Sequence, residues 1–273
     1  MDKKRDKTTI TRHGHGFYEV RLDSWEHFHS FLFRRMKEAT HGVWRGQRDS
    51  GWLLEPSFKR IKDVRESKNP ETRANNHLRR FKRAALGRLK VEQIPASGVK
   101  RAAANEWWAV GQHYDLATPL LDWTYSAFVA LYFAFEKEEE PESGCRAVWG
   151  LNPDVNLRKM KAYPSDHYGF EFINPKYAEN HRVMSQAGAL TRVNLKYDLE
   201  KWIRGAAPPD SGKDYLAKIS IRSSEEARKE CLCMLNKMNI NALTLFPDIY
   251  GTTRRCNMAI EIGAADYFPL LGR

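Results

Sequence analysis

The sequence predicts one large α+β domain, and three observations carry that expectation. A chain of 273 residues with 42% hydrophobic and 12% aromatic content can bury a substantial core. Strand-like and helix-like apolar patterns alternate along it. One run, YSAFVALYFAF at residues 125–135, is almost wholly apolar and reads as a helix buried on every side.

The elements follow in order. FYEVRL, residues 17–22, reads as a strand, and Asp23 or Ser24 can cap a helix that buries Trp25, Phe28, Leu32 and Met36. Residues 43–45 form a short strand that ends at Arg45. Asp49, Ser50 and Gly51 then make a turn, and Pro56 bars a continuous helix because it lacks the N–H and clashes with the preceding turn. Residues 72–90 repeat Leu78, Phe81, Ala85 and Leu89 at helical spacing, and a further helix runs through Glu106, Trp107, Trp108 and Val110. Large aromatics dominate burial, so Trp107 and Trp108 belong to the core.

After the apolar helix, EKEEEPESG makes an exposed acidic turn and RAVWGLN, residues 146–152, a strand. Residues 152–180 read as irregular, and GAAPPDSGKD, residues 205–214, as a loop. YLAKISI alternates Tyr215, Ala217, Ile219 and Ile221 against polar neighbours, the pattern of a half-buried strand. Ser223 with Glu226 forms a capping-box pattern for a helix to about Met238. NALTLF, residues 241–246, adds a strand that Phe246-Pro247-Asp248 ends.

Several function classes drop out. No stretch approaches the roughly 18 apolar residues of a membrane helix, and the first residues lack the apolar core of a secretory signal. A cytoplasmic protein with no membrane partner is expected. Cys145, Cys231, Cys233 and Cys256 are too irregular for a disulfide framework, and Cys231-x-Cys233 has no second pair at zinc spacing. Reduced cysteines and no metal site are expected, and the missing carboxylate cluster disfavours a metal-dependent nuclease.

Charge points toward a polyanion. Lys and Arg number 45 against 34 Asp and Glu, a net charge of +11, and such a field attracts nucleic acid. Residues 72–90 hold seven basic residues and no acidic one. Arg79, Arg80, Lys82 and Arg83 are the candidate nucleic-acid contacts, and a solvated helix face is the plain alternative.

Four blocks in order, WRGQRDSGWLLEPSFKR, QHYDLATPLLDWTYSAFVALYFA, RVMSQAGAL and LFPDIYG, resemble the signature of the FRG domain family, found in many bacterial proteins. The resemblance implies an FRG domain over residues 17–251, with residues 252–273 a C-terminal extension packed on it. Pro119-Leu120 stands where the family pattern has an arginine before paired leucines, so no charged contact is expected there.

WRG and LLDWTYSAFVALYFAF are also similar to the layout of ADP-ribosyltransferases built on an arginine, a Ser-Thr-Ser strand and a glutamate. That likeness implies a split β-sheet core with surrounding helices and NAD+ as co-substrate. Asp122-Trp123-Thr124 falls where Ser-Thr-Ser would, and Gln186 where the glutamate would, with Glu171 and Glu261 as substitutes.

The chemistry suits those residues. Arginine offers a planar fork that grips two phosphate oxygens, so Arg45 would anchor the diphosphate. Gly46 beside it would let ligand and backbone approach closely. Breaking the bond to nicotinamide builds positive charge on the ribose, so a carboxylate nearby stabilises the transition state selectively. Asp122 is the leading carboxylate, since an acid in so apolar a setting needs a partner or a task.

Thr124 would hold the ribose or the nicotinamide amide, Trp44, Tyr114 or Trp123 would stack on a ring, and Gln47 completes the cofactor wall. His113 is a general base, a ribose contact or a structural histidine. Arg45 and Asp122 are alternatively a buried structural pair. The likeness implies a toxin-type or phage-defence effector held by a neutralising antitoxin-type protein. Its acceptor would be nucleic acid, RNA before DNA or protein. A nucleic-acid-binding module without catalysis is the alternative.

Overall fold

The computed structural model describes residues 8–36, 42–89, 94–95, 100–152, 170–173, 185–208 and 213–263. Among them the strands are β1 (Thr9–Arg12), β2 (Phe17–Leu22), β3 (Val43–Gln47), β4 (Leu120–Thr124), β5 (Cys145–Leu151), β6 (Glu171–Ile173), β7 (Gly188–Arg192) and β8 (Leu216–Arg222). They form a single sheet in the order β1-β2-β8-β5-β3-β4-β7-β6. Only β2 and β8 run parallel. The α+β expectation holds.

The helices are α1 (Glu26–Met36), α2 (Ser57–Arg60), α3 (Lys62–Arg65), α4 (Pro70–Ala85), α5 (Lys100–His113), α6 (Ala127–Phe135), α7 (Leu199–Ala206), α8 (Glu225–Lys237), α9 (Ala242–Leu245) and α10 (Ile249–Glu261). On one sheet face Val20, Leu22, Trp44, Val148, Ile219 and Ile221 pack with α1, α6, α8, α9 and α10. Val43, Leu121, Trp123 and Trp149 pack on the other face with Leu199, Trp202 and Ile203 of α7. Strand side chains alternate, so one strand feeds both layers. A third cluster joins α2 to α5, with Phe58, Leu78 and the expected core residues Trp107 and Trp108.

The seam between β3 and β4 is the weak point of the sheet. They share a single bridge, Trp44↔Thr124, whereas β3 pairs with β5 along its whole length. Helix α6 covers the seam from below. Ser126 caps it by accepting from Val129 N at 3.3 Å. Six of its nine residues are buried, as the apolar run predicts.

Gly46 lets the strand lie on that helix. A Cβ there would stand 2.0 Å from Ala130 O and 2.5 Å from Ala134 N. The glycine was expected to make room for a ligand; it makes room for helix backbone.

Two buried arginines close the other end of α6. Arg146 of β5 donates to Ala134 O at 2.8 Å and Glu139 O at 3.2 Å. Arg228 of α8 donates to Phe135 O at 3.1 Å, Glu136 O at 3.1 Å and Lys137 O at 3.0 Å, and pairs with Glu261 at 2.8 Å. Each side chain is about 1% exposed. The cations satisfy carbonyls that a helix end leaves open and sit at the negative pole of its dipole. Burial, then the charge of Arg228, pulls the Arg146 pKa down to about 10.

Other expectations need correction. NALTLF is helical, because Asn241 caps α9 and Thr244 completes a capping box. The cap of α8 is Ser224 rather than Ser223, and its hydroxyl accepts from Ala227 N at 3.3 Å. Arg45 lies in the middle of β3, not at its end. The basic helix stops at Ala85, before the αL turn at Gly87.

Phe28 and Leu32 are buried as expected, while the Met36 side chain and Lys90 lie outside the described residues. So do residues 153–169 and 174–184 of the expected irregular stretch and RVMSQAGAL block, 209–212 of the loop and 264–273 of the C-terminal extension.

Gly46→Ala is expected to cost about 3 kcal/mol or more, because the new methyl meets backbone that cannot step aside. The urea unfolding midpoint reads it, and an unchanged midpoint would mean that β3 and α6 separate easily.

Candidate functional site

At the β3–β4 seam a cavity of about 580 Å³ opens. Its lining brings together Trp44, Arg45, Gly46, Gln47, His113, Asp122, Trp123, Thr124 and Gln186, nine of the residues singled out from the sequence. Tyr114 is not among them; it is exposed and meets the His113 ring edge-on at 4.9 Å. Neither are Arg79, Arg80, Lys82 and Arg83 of α4, nor Glu171 and Glu261. Glu261 is held by Arg228 instead.

Arg45 shares its strand face with Val43 and Gln47, since alternate residues point the same way. Its Nη1 donates to Asp122 O at 2.8 Å and lies 3.8 Å from Asp122 Oδ2. The side chain is only 17% exposed, and among the described residues its buried Nε–H has no acceptor. Burial lowers the Arg45 pKa, Asp122 opposes that shift, and the nearby charge of Arg60 adds to it. Arginine stays protonated regardless. The cavity therefore holds a desolvated cation with an unused donor and a second cation close by.

Asp122 is not buried among apolar groups. It is the one exposed residue of β4, with 65% of its side chain open. Gln112 of α5 orients it: the amide nitrogen donates to Asp122 Oδ1, and the amide oxygen accepts from Thr118 Oγ1. Gln112 also lines the cavity.

Thr124 closes the seam. Its hydroxyl donates to Gln186 O at 2.6 Å and accepts from Ser126 N at 3.1 Å. Gln186, two residues before β7, donates its amide to Leu245 O at 3.1 Å. Ala187 follows with φ +47°, a backbone region that non-glycine residues enter only under local constraint.

The predicted ring contacts take different roles. Trp44 and Trp123 are 8% and 3% exposed and belong to core clusters. Trp123 Nε1 donates to Thr191 Oγ1 at 2.8 Å. They wall the cavity rather than stand free in it. Gln47 uses both ends of its amide internally, toward Leu53 O at 3.2 Å and Trp149 Nε1 at 2.7 Å.

Sequence reasoning missed several lining residues: Arg48, Trp52, Arg60, Gln112, Glu136, Lys137 and Glu139. Glu136, Lys137 and Glu139 read as part of a solvated acidic turn. Their signal was position, since the chain leaving an apolar helix that ends at the site forms its rim. Burial raises the Glu136 pKa, and Arg254 at 3.2 Å opposes the shift.

The loop after β3 is anchored by Asp49. Its carboxylate accepts from Gly51 N at 2.7 Å and Ser143 N at 3.2 Å. Burial pushes the Asp49 pKa up, but hydrogen bonds from Ser143, Gly51 and Glu142 outweigh it and hold it below its ordinary value.

Among the described residues, no group of three or more His, Cys, Asp and Glu stands where it could hold a metal ion. No helix among them is long and apolar enough to cross a membrane.

Residues 40–143 match the family model of the FRG domain, so this chain carries an FRG domain. The match runs from before β3 to the end of the acidic turn and takes in Arg45, Gln112, His113, Asp122 and Thr124; Gln186 lies beyond it. No curated protein and no solved structure matches the chain.

A carboxyl whose folded pKa is depressed contributes stability in full above its unfolded value, near 3.8 for Asp49. That contribution is lost as pH falls through the lower folded value. Asp49→Asn is expected to flatten the fall of the urea midpoint below about pH 4 relative to wild type. Parallel acid limbs would assign the loss to other carboxylates.

Proposed function

We propose that this FRG-domain protein is an NAD+-dependent ADP-ribosyltransferase whose site is the cavity at the β3–β4 seam. One observation carries the reading. Arg45 is a desolvated cation with an unpaired Nε–H, bordering the same cavity as Arg60. Arg60 is exposed, and the Asp122 carboxylate beside Arg45 is 65% open to water, so an anion entering the cavity would gain from both cations. A diphosphate supplies two negative groups, and the arginine fork fits their oxygens.

The remaining residues would then serve the transfer. The bond between the ribose C1′ and nicotinamide breaks with its electron pair going to nicotinamide, and an acceptor heteroatom gives a new pair to C1′. Asp122, oriented by Gln112, would stabilise the positive charge on the ribose. His113 would take the acceptor's proton. Thr124 would hold Gln186 against the ribose end through its bond to the Gln186 carbonyl. The Gln186 amide reaches Leu245 O and supplies no charge, which leaves the electrostatic role to Asp122. The seam between β3 and β4 would be the split of a transferase-like sheet.

Nucleic acid is the favoured acceptor, RNA first, and a cell making such an enzyme would need a neutralising protein. The proposal for nucleic acid rests on the net charge of +11 and on Arg79, Arg80 and Arg83, all exposed on α4. Those same arginines favour the second reading, a nucleic-acid-binding module without catalysis. Lys82 fits neither as well: it lies over the Trp107 ring at 5.4 Å, and burial lowers its pKa.

The test incubates the protein with labelled NAD+ and, separately, RNA, DNA and cell protein. Label should reach one acceptor, fall at least about 100-fold in Arg45→Ala, and fall by a similar factor in Asp122→Asn. No transfer and no NAD+ loss, with RNA binding retained, would establish the binding module instead. In that case Arg79→Ala with Arg83→Ala should lower the salt dependence of RNA binding by about one to two ions.

A further inference from the structure

Trp52 has no part in the proposed reaction, yet it is the most unusual tryptophan of the chain. Of the eight tryptophans, it is the one that stands exposed, at 41%, and it does so on the cavity wall. It belongs to none of the three core clusters. An indole left open to water forgoes the burial that usually justifies so large a ring.

The loop that carries the ring is held in place. The Asp49 carboxylate grips Gly51 N and Ser143 N, Trp52 N donates to Asp49 O at 3.2 Å, and Ser50 N donates to Cys145 O at 2.9 Å. The loop is thereby tied to the start of β5. A ring on an anchored loop binds a partner with less loss of conformational freedom than one on a loose loop.

One cation already lies on the ring. The Arg48 guanidinium sits 4.9 Å from the ring centroid and pairs with Glu139 at 3.0 Å. A planar cation already on the ring marks a surface suited to another flat, polarisable group. Arg48 lies three residues beyond Arg45, about 10 Å along an extended chain. Strand β3 thus runs from the Thr124 end of the cavity, where Trp44 pairs with Thr124, to the loop that carries Trp52.

We infer that Trp52 is the base platform of the cavity and stacks the adenine ring of the dinucleotide, with Arg45 on the diphosphate between the two ends. Adenine takes the place of Arg48 on the indole, and Glu139 keeps the displaced guanidinium beside the adenosine phosphate. The inference rests on the transferase reading for its ligand. Stacking on an open ring would let the cavity tell a nucleotide from bare diphosphate.

Calorimetric titration of the full chain with ADP-ribose, AMP and nicotinamide mononucleotide tests it, using wild type, Trp52→Ala, Trp52→Phe and Arg45→Ala. Trp52→Ala should weaken ADP-ribose and AMP by about 10-fold to 100-fold, the usual worth of one base on an aromatic ring. Nicotinamide mononucleotide should bind it as it binds wild type, and Trp52→Phe should keep most of the affinity. Unchanged urea midpoints would show that the variants fold.

Equal weakening of both mononucleotides, or none, would overturn the platform. So would wild type failing to bind AMP and ADP-ribose, or Trp52→Ala weakening an adenine oligoribonucleotide but not ADP-ribose. The two readings fail separately. Trp52-dependent binding of ADP-ribose without label transfer would sink the transferase and keep the platform, and transfer untouched by Trp52→Ala would do the reverse.

Discussion

The contact between Gly46 and the backbone of α6 is the constraint on which the rest of the site depends. With no side chain at this position, β3 lies directly on Ala130 and Ala134. Trp44 and Gly46 face the helix, and Arg45 between them is turned the other way, into the seam. Any residue with a Cβ would lift the strand and carry Arg45 away from Asp122. Packing therefore sets the position of the principal cation.

The same helix builds the opposite rim. Arg146 and Arg228 hold the carbonyls at its C-terminal end. They fix the course of the chain that carries Glu136, Lys137 and Glu139 past the cavity. Buried cations are costly unless each donor is met, and here backbone oxygens rather than carboxylates meet most of them. The arrangement places two positive charges beneath an acidic turn and stiffens a segment whose composition alone suggests a solvated loop.

Side-chain order within the cavity comes from a short relay. Thr118 bonds Gln112, Gln112 bonds Asp122, and Asp122 meets Arg45 through both its carbonyl and its carboxylate. These residues lie on α5, on the loop before β4, on β4 and on β3, so no local segment contains the relay. It keeps an exposed carboxylate in one orientation without burying it, which limits the cost of holding the charge.

Much was legible in the sequence where short-range chemistry decides. The apolar run at residues 127–135 became a buried helix, and Arg45, Asp122, Thr124 and Gln186 meet at one cavity. NALTLF misled because its alternating apolar residues suit a strand, while Asn241 and Thr244 bond the backbone and start a helix. The sequence by itself determined the composition of the core, the strand and helix types of the strongly patterned segments and the excess of positive charge. Those follow from periodicity and local bonding. Tertiary structure alone decided that β3 and β4 part after one bridge, that Gly46 serves the helix, that Asp122 is exposed and that Trp52 stands open at the rim. Each is a relation between segments distant in the chain, set by close packing and by which buried donors find acceptors.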